Sequence, residues 1–541
     1  MLPLLTLAVA PLLVRAANDW NVACVGNCSY DLPAKSKSSG TVRISGGSHA
    51  VSDLTHAGGW TILGCDTVSQ AQDIRVLCST SRCEHLFEGH GAVDTVVRLS
   101  ESCSSAPFAR VASVSVDSNQ TIPSNLAATI VSGSSNYTGT VFLVSVDTDF
   151  SKANASVTGP ITFSLQGVNF PNATAAAPTR RSFGKRNWTS FNDTSTQALS
   201  PIVVDDTFPL YSASISCDDM SASISTEFDL DVNMTVALGV TAAGTVIPPE
   251  FTEFALFTEL DGKVKGSLDL DVSAHGKFTV DSKTLWSTSI GGIDIPGIFS
   301  LGPEFAVVGS LDADITSKLK TKLDLSYKAE NAVIAIPSSA DVGGFSPAEQ
   351  GLSVSIVPHL TAVGTLTPHL VPTLKLSLSA FSFVDASAYI DLDASAGLSL
   401  NLTADADVAA TATTKSTTKT ATAAAGASAT AAATGCVAAD AGLSVNVGVK
   451  GSLFDLLKES DSDTLWSGDW SLLDQCWDGE TGTITSRSRR TDWEPVWIGR
   501  RDNSTALSCP TSTELLADVE PIIEEIVDAF EGVNGTTISV R

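Results

Sequence analysis

Apolar and polar residues alternate one for one along the middle of the chain. From 222 to 246 nearly every even position is apolar or small: Ala222, Ile224, Phe228, Leu230, Val232, Met234, Val236, Leu238, Val240 and Ala242. The odd positions between them are mostly Ser, Asp, Glu, Asn and Thr. The even register also holds over 264–280, 352–380 and 386–408, and the odd register over 305–329. Successive side chains of a strand point to opposite faces, so each segment predicts a ribbon with one dry and one wet side. These segments exceed the usual strand of about five or six residues. They predict long curved strands or hairpins that preserve parity. A sheet with one continuous apolar face must bury it. It can pack into a filled sandwich, hold a lipid in a groove, sit on a hydrophobic partner, or unfurl into a membrane as pore-forming hairpins do. Asp and Lys on the wet face and the absence of aromatic girdles argue against the last.

Shorter runs precede this region: Thr41–Ser45, Trp60–Gly64, Asp73–Leu77, Val93–Leu99, Val111–Val116, Thr140–Val146 and Ile161–Leu165. They alternate with Gly- and Ser-rich turns and share their span with Cys24, Cys28, Cys65, Cys78, Cys83 and Cys103. The expected fold is mainly β. A small disulfide-stapled β-sandwich-like domain (17–175) is followed by a large antiparallel domain of long amphipathic strands (206–478). Between them, 176–205 reads as a linker with dibasic pairs at Arg180-Arg181 and Lys185-Arg186, candidate sites for a processing protease. The Ala/Thr tract 411–434 reads as a flexible loop, because no core-building side chain offsets its ordering entropy. A Thr-Leu-Trp-Ser motif recurs at 284–287 and 464–467, each copy expected to form a turn after an alternating strand. The tail 479–541 predicts one C-terminal helix over 512–531, with Thr511 and Glu514 as its capping box.

Composition adds a compartment. Met1–Ala16 reads as a signal peptide, and no later segment has the length of a spanning helix. All ten cysteines are disulfide candidates, with Cys217, Cys436, Cys476 and Cys509 outside the first domain. Eleven N-x-S/T sequons mark glycosylation candidates: Asn27, Asn119, Asn136, Asn154, Asn172, Asn187, Asn192, Asn233, Asn401, Asn503 and Asn534. Asn233 and Asn401 fall on the wet side of their strands. A net charge of −27 excludes nucleic acid as an electrostatic partner.

Chemistry is sparse. The run Cys83-Glu84-His85-Leu86-Phe87-Glu88-Gly89-His90 has a superficial likeness to a metal motif, but its spacing matches no known zinc pattern. It is read as a turn packed beside disulfides. His359 and His369 each lie between Pro and Leu, and are read as an echo of the strand pattern rather than a metal pair. Acidic pairs such as Asp229/Asp231, Asp269/Asp271 and Asp391/Asp393 are read as a solvated acidic surface. No nucleophile elbow, P-loop or dinucleotide fingerprint is present. No catalytic, cofactor-binding or metal residues are assigned and no cofactor is expected.

The N-terminal block carries Cys24-Val-Gly-Asn-Cys28-Ser-Tyr-Asp31, Ser52-Asp53-Leu54-Thr55, Gly59-Trp-Thr-Ile-Leu-Gly-Cys65-Asp66 and Gln72-Asp-Ile-Arg-Val-Leu-Cys78. It resembles an uncharacterised family of secreted, basidiomycete-type fungal proteins. The stretch from Gly451-Ser-Leu-Phe454 to Leu473-Asp-Gln-Cys476 looks like a second fungal domain of unknown function. The resemblance implies compartment and lineage and supplies no activity. The expectation is a secreted, disulfide-bonded glycoprotein with no catalytic activity, in an extracellular or cell-wall-associated structural or recognition role. Its partner would be cell-wall polysaccharide. The alternatives are a carrier of a hydrophobic ligand in the long β domain and a carbohydrate-active hydrolase.

Overall fold

The computed structural model describes residues 18–32, 37–127, 137–170, most of 199–477, and two short strands beyond, Ile484–Ser486 and Ala506–Ser508. The expected signal peptide, most of the expected linker with its dibasic pairs, and the helix expected over 512–531 lie outside the described residues. The fold is mainly β and almost wholly antiparallel, arranged in sheets of eleven, nine and six strands.

The alternating segments form strands of unusual length. Met220–Ile247 has 28 residues, Glu250–Val272 has 23, and Leu360–Ala380 and Val384–Ala404 have 21 each. At about 3.3 Å per residue, the longest extends roughly 90 Å. Parity holds along them as the sequence predicts. Phe228, Leu230, Val232, Met234, Leu238 and Val240 are buried, and exposed or half-buried residues lie between most of them. On Leu319–Ile336 the buried set changes from odd (Leu323, Leu325, Tyr327) to even (Ala332, Ile334, Ile336). A bulge causes the change. Leu260 pairs with Ala332 but Gly262 pairs with Ala329, so the strand gains a residue there. Asn331 (φ 48°) and Gly262 (φ 144°) take the left-handed backbone this needs, and the Asn331 amide donates to Asp261 Oδ1.

The eleven- and nine-stranded sheets cover each other's dry faces. Leu268 and Leu270 of one share a continuous core with Leu366, Leu370 and Leu374 of the other. The approach is close: a Cβ on Gly266 would lie 2.3 Å from Leu370 Cδ2. The six-stranded sheet carries its own second core, in which Trp60, Ile74, Val76, Val97, Val111 and Val144 pack with Cys78, Cys83 and Leu86.

Part of residues 18–170 also joins the long sheets. The strands Asn27–Asp31, Ser39–Ser45 and Ile161–Val168 leave the six-stranded sheet and extend the eleven-stranded one, through pairing of Ile161–Val168 with Met220–Ile247. Asn169 ends that pairing as a surrogate for backbone: its side chain donates to the Val236 carbonyl and accepts from the Leu238 amide. Four phenylalanines lock the junction. Phe163 lies 5.2 Å from Phe251 and 5.0 Å from Phe381, and Phe150 meets Phe381 edge-on at 6.2 Å. The N-terminal region and the long strands thus share one sheet and one core.

Two further expectations change. Within the Ala/Thr tract, Val408–Thr417 and Thr420–Ala429 form a hairpin that pairs with Gln350–Ile356. The backbone ladder, with β-branched Thr at many positions, supplies what the missing core side chains do not. The Thr-Leu-Trp-Ser motifs are bulges rather than turns. Thr284 pairs with Val308 and Trp286 with Val307, Trp466 with Val445 and Thr464 with Asn446, so Leu285 and Leu465 are the extra residues.

Disulfides join Cys24 to Cys28, Cys78 to Cys83, and Cys436 to Cys476. Cys217 ends the strand Ile202–Cys217, and Cys509 lies outside the described residues. Cys65 and Cys103 are free thiols in hydrogen-bond contact; burial and this neighbour raise the Cys103 pKa. Two measurements check this fold. Gly266→Ala drives a methyl group into Leu370 and is expected to destabilise the protein by about 1–3 kcal/mol in denaturant unfolding; an unchanged midpoint would count against the close sheet packing. Peptide mapping without reduction is expected to recover the bridges Cys24–Cys28, Cys78–Cys83 and Cys436–Cys476 and to find Cys65 and Cys103 alkylated, whereas a Cys65–Cys103 cross-link would refute the free thiols.

Candidate functional site

Two clusters of chemistry-bearing side chains stand out. The first gathers on the six-stranded sheet. Thr80 caps a short 3-10 helix, Ser81–Phe87, by accepting from the Arg82 amide, and the Cys78–Cys83 bridge pins this helix to the strand Gln72–Cys78. Leu86 and Cys83 are buried beneath it. The Cys83–His90 run is thus a turn packed beside a disulfide, as read from sequence. What sequence did not show is the partner of its outer side. His49 stands in a turn closed by the Ala50 amide donating to the Gly47 carbonyl, just before the strand Val51–Asp53.

One ligand atom each from His49, His85 and Glu88 lies within 4.8 Å of the others. The two imidazoles stack with centroids 5.5 Å apart and planes 22° from parallel. Glu88 Oε2 is 3.6 Å from His49 Nδ1, and the Ser52 hydroxyl is 3.3 Å from His85 Nδ1. Gly89 makes the approach possible. Its φ is 62°, and a Cβ there would lie 2.7 Å from the Cβ of His49. His90, the third member of the apparent motif, turns away and meets Thr95 Oγ1 at 3.5 Å.

Behind the cluster a buried ion pair fixes the strands. Arg98 donates to Asp53 Oδ2 at 2.6 Å and to the Val22 carbonyl, and its guanidinium lies 5.0 Å from the Trp20 ring. With both ionic side chains almost fully buried, the pair holds Val51–Asp53 against Val96–Arg98. That parallel pairing sets the height of the His49 turn.

The second cluster lies on the outer face of the nine-stranded sheet. His369 donates from Nδ1 to Asp393, 2.9 Å from Oδ1 and 3.1 Å from Oδ2. His359, its expected echo, lies outside the described residues. In register with His369 are Ser310 on one side and Ser395 on the other. The pair Asp391/Asp393 is not the solvated surface expected: burial pushes the Asp391 carboxyl up to about 6, with the Asp393 charge adding to the rise against an opposing hydrogen bond from Thr373. Serine, histidine and carboxylate together have the composition of a hydrolase triad. Here Ser310, Ser395 and His369 are 6%, 4% and 4% exposed, closed to a substrate. The cluster is a buried polar patch of the sheet. Among the described residues, no helix is long and apolar enough to cross a membrane.

The Asp391 carboxyl sets a pH dependence. Its folded value lies above the ordinary 3.8, so the folded state holds that proton more tightly than the unfolded chain. The contribution to stability is full below about pH 4 and is lost as pH rises through about 6. Asp391→Asn is expected to raise stability at about pH 7.5 by up to about 3 kcal/mol, at about 1.4 kcal/mol per pKa unit, and to match the wild type near pH 4. Unfolding midpoints at the two pH values check this, and equal gains at both would refute it.

No family model matches this chain, and no curated protein or solved structure matches it.

Proposed function

We propose that the chain is a secreted, N-glycosylated protein without catalytic activity, serving as a rigid extracellular or cell-wall-associated body in a structural or recognition role. The observation that carries this reading is how the dry faces are used. The two long sheets bury them against each other, with Leu370 seated on Gly266 and Leu210 against Gly309. A sandwich packed this closely favours a filled core over an acyl channel.

Two features support the compartment. Asn27, Asn119, Asn154, Asn233 and Asn401, the sequon asparagines among the described residues, are all exposed. In Asn119 and Asn154 the side-chain oxygen caps the amide two residues on, leaving the amide nitrogen as the glycan attachment point. The three disulfides suit an oxidising compartment. The resemblance of the N-terminal block to secreted fungal proteins points the same way, and cell-wall polysaccharide is the partner class this reading favours.

Native mass spectrometry of the protein secreted by its own host, followed by solvent extraction, tests the filled core. The expected mass is that of protein and glycans alone. A stoichiometric co-purifying lipid would replace this reading with that of a carrier.

A further inference from the structure

We propose that His49, His85 and Glu88 form a binding site for a divalent transition cation of the zinc class. Two imidazole nitrogens and one carboxylate oxygen are a donor set for borderline metals, whereas calcium and magnesium take oxygen ligands. The three donor atoms already lie within 4.8 Å of one another. Tetrahedral zinc with bonds of about 2.0–2.1 Å sets its donors roughly 3.3 Å apart. Closing the difference needs only side-chain rotation, and His49 and Glu88 are free to supply it, at 44% and 53% side-chain exposure.

The surroundings separate this trio from a chance surface grouping. His85 rides on a disulfide-pinned helix, and the Ser52 hydroxyl meets its ring in the manner of the hydrogen-bonded groups that orient metal-binding histidines. The histidines come from turns distant in sequence, and Gly89 has the backbone and the missing side chain that let these turns touch. Two of the seven histidines of the chain thereby stack face to face beside a carboxylate. Without a cation, two imidazoles stacked in this way gain little from each other. A cation bound through an in-plane nitrogen lone pair of each ring also draws on the charge of Glu88. Three protein donors leave a fourth position open to solvent, where water or a donor from a bound molecule would complete the shell.

The test is calorimetric titration of Zn2+ into the chelator-treated, full-length glycoprotein, in parallel with Mg2+. One zinc site is expected, and no comparable magnesium binding. His49→Ala and Glu88→Gln each alter an exposed side chain, and their folding without metal is checked by thermal melting. Each is expected to weaken zinc binding by more than about tenfold, Ser52→Ala by about tenfold, and His90→Ala to leave it unchanged. The proposal is overturned if no zinc binds, or if folded His49→Ala and Glu88→Gln proteins bind it as the wild type does.

Discussion

Every long strand of this protein has one dry side, and that side must meet another. The constraint follows from side-chain parity and scales with strand length. A 28-residue ribbon carries an apolar stripe far longer than a helix or loop could shield. The structure meets it by setting one long-stranded sheet against another. Small residues at the interface let them close, as where Leu370 occupies the space above Gly266. Bulges matter because each moves a strand's stripe by one residue. The Gly262–Asn331 bulge lets the odd-register part of Leu319–Ile336 and its even-register end face the same core.

The same constraint joins the N-terminal region to the rest. Ile161–Val168 fills the place beside the second half of Met220–Ile247, while Ile202–Cys217 pairs with the first half. The ring cluster of Phe150, Phe163, Phe251 and Phe381 draws its members from both regions, so neither buries them alone. The strands and parity were legible in the sequence because alternation is local. The sheet to which each strand belongs was not, because that depends on partners distant in sequence, as where Ser39–Ser45 pairs with Ile161–Val168. Trp60–Gly64 and Ile161–Leu165 look alike as runs, yet they lie in different sheets.

Legibility of the candidate site divides in the same way. His85 and Glu88 stand in one short run and were visible, but the run also offered His90, which the fold sends to Thr95. His49 carries no spacing signal, since a turn between two strands delivers it; the Gly46-Gly47 pair before it and Gly89 opposite were the faint signs that two backbones come close. Asp391 and Asp393 show a converse error. Strand parity placed them correctly on the outer face, but parity does not report how deeply that face is covered, and there Asp391 titrates as a buried group beside Thr373.

A sandwich of long strands also has long edges, and exposed edges invite pairing with other chains. Here the edges approach each other. Ile202–Cys217 of the eleven-stranded sheet lies alongside His275–Ser289 of the nine-stranded one, and at the other side the hairpin Val408–Ala429 lies alongside Ser462–Trp477. The bulges at Leu285 and Leu465 fall in these two flanking strands of the nine-stranded sheet, where added twist turns an edge inward. The Ala/Thr tract gains a physical role from this placement. The hairpin runs beside a strand of the neighbouring sheet and covers its flank. Composition alone argued for a loop because it counts what a segment can bury; the backbone ladder and the edge it protects are properties of the assembled sheets.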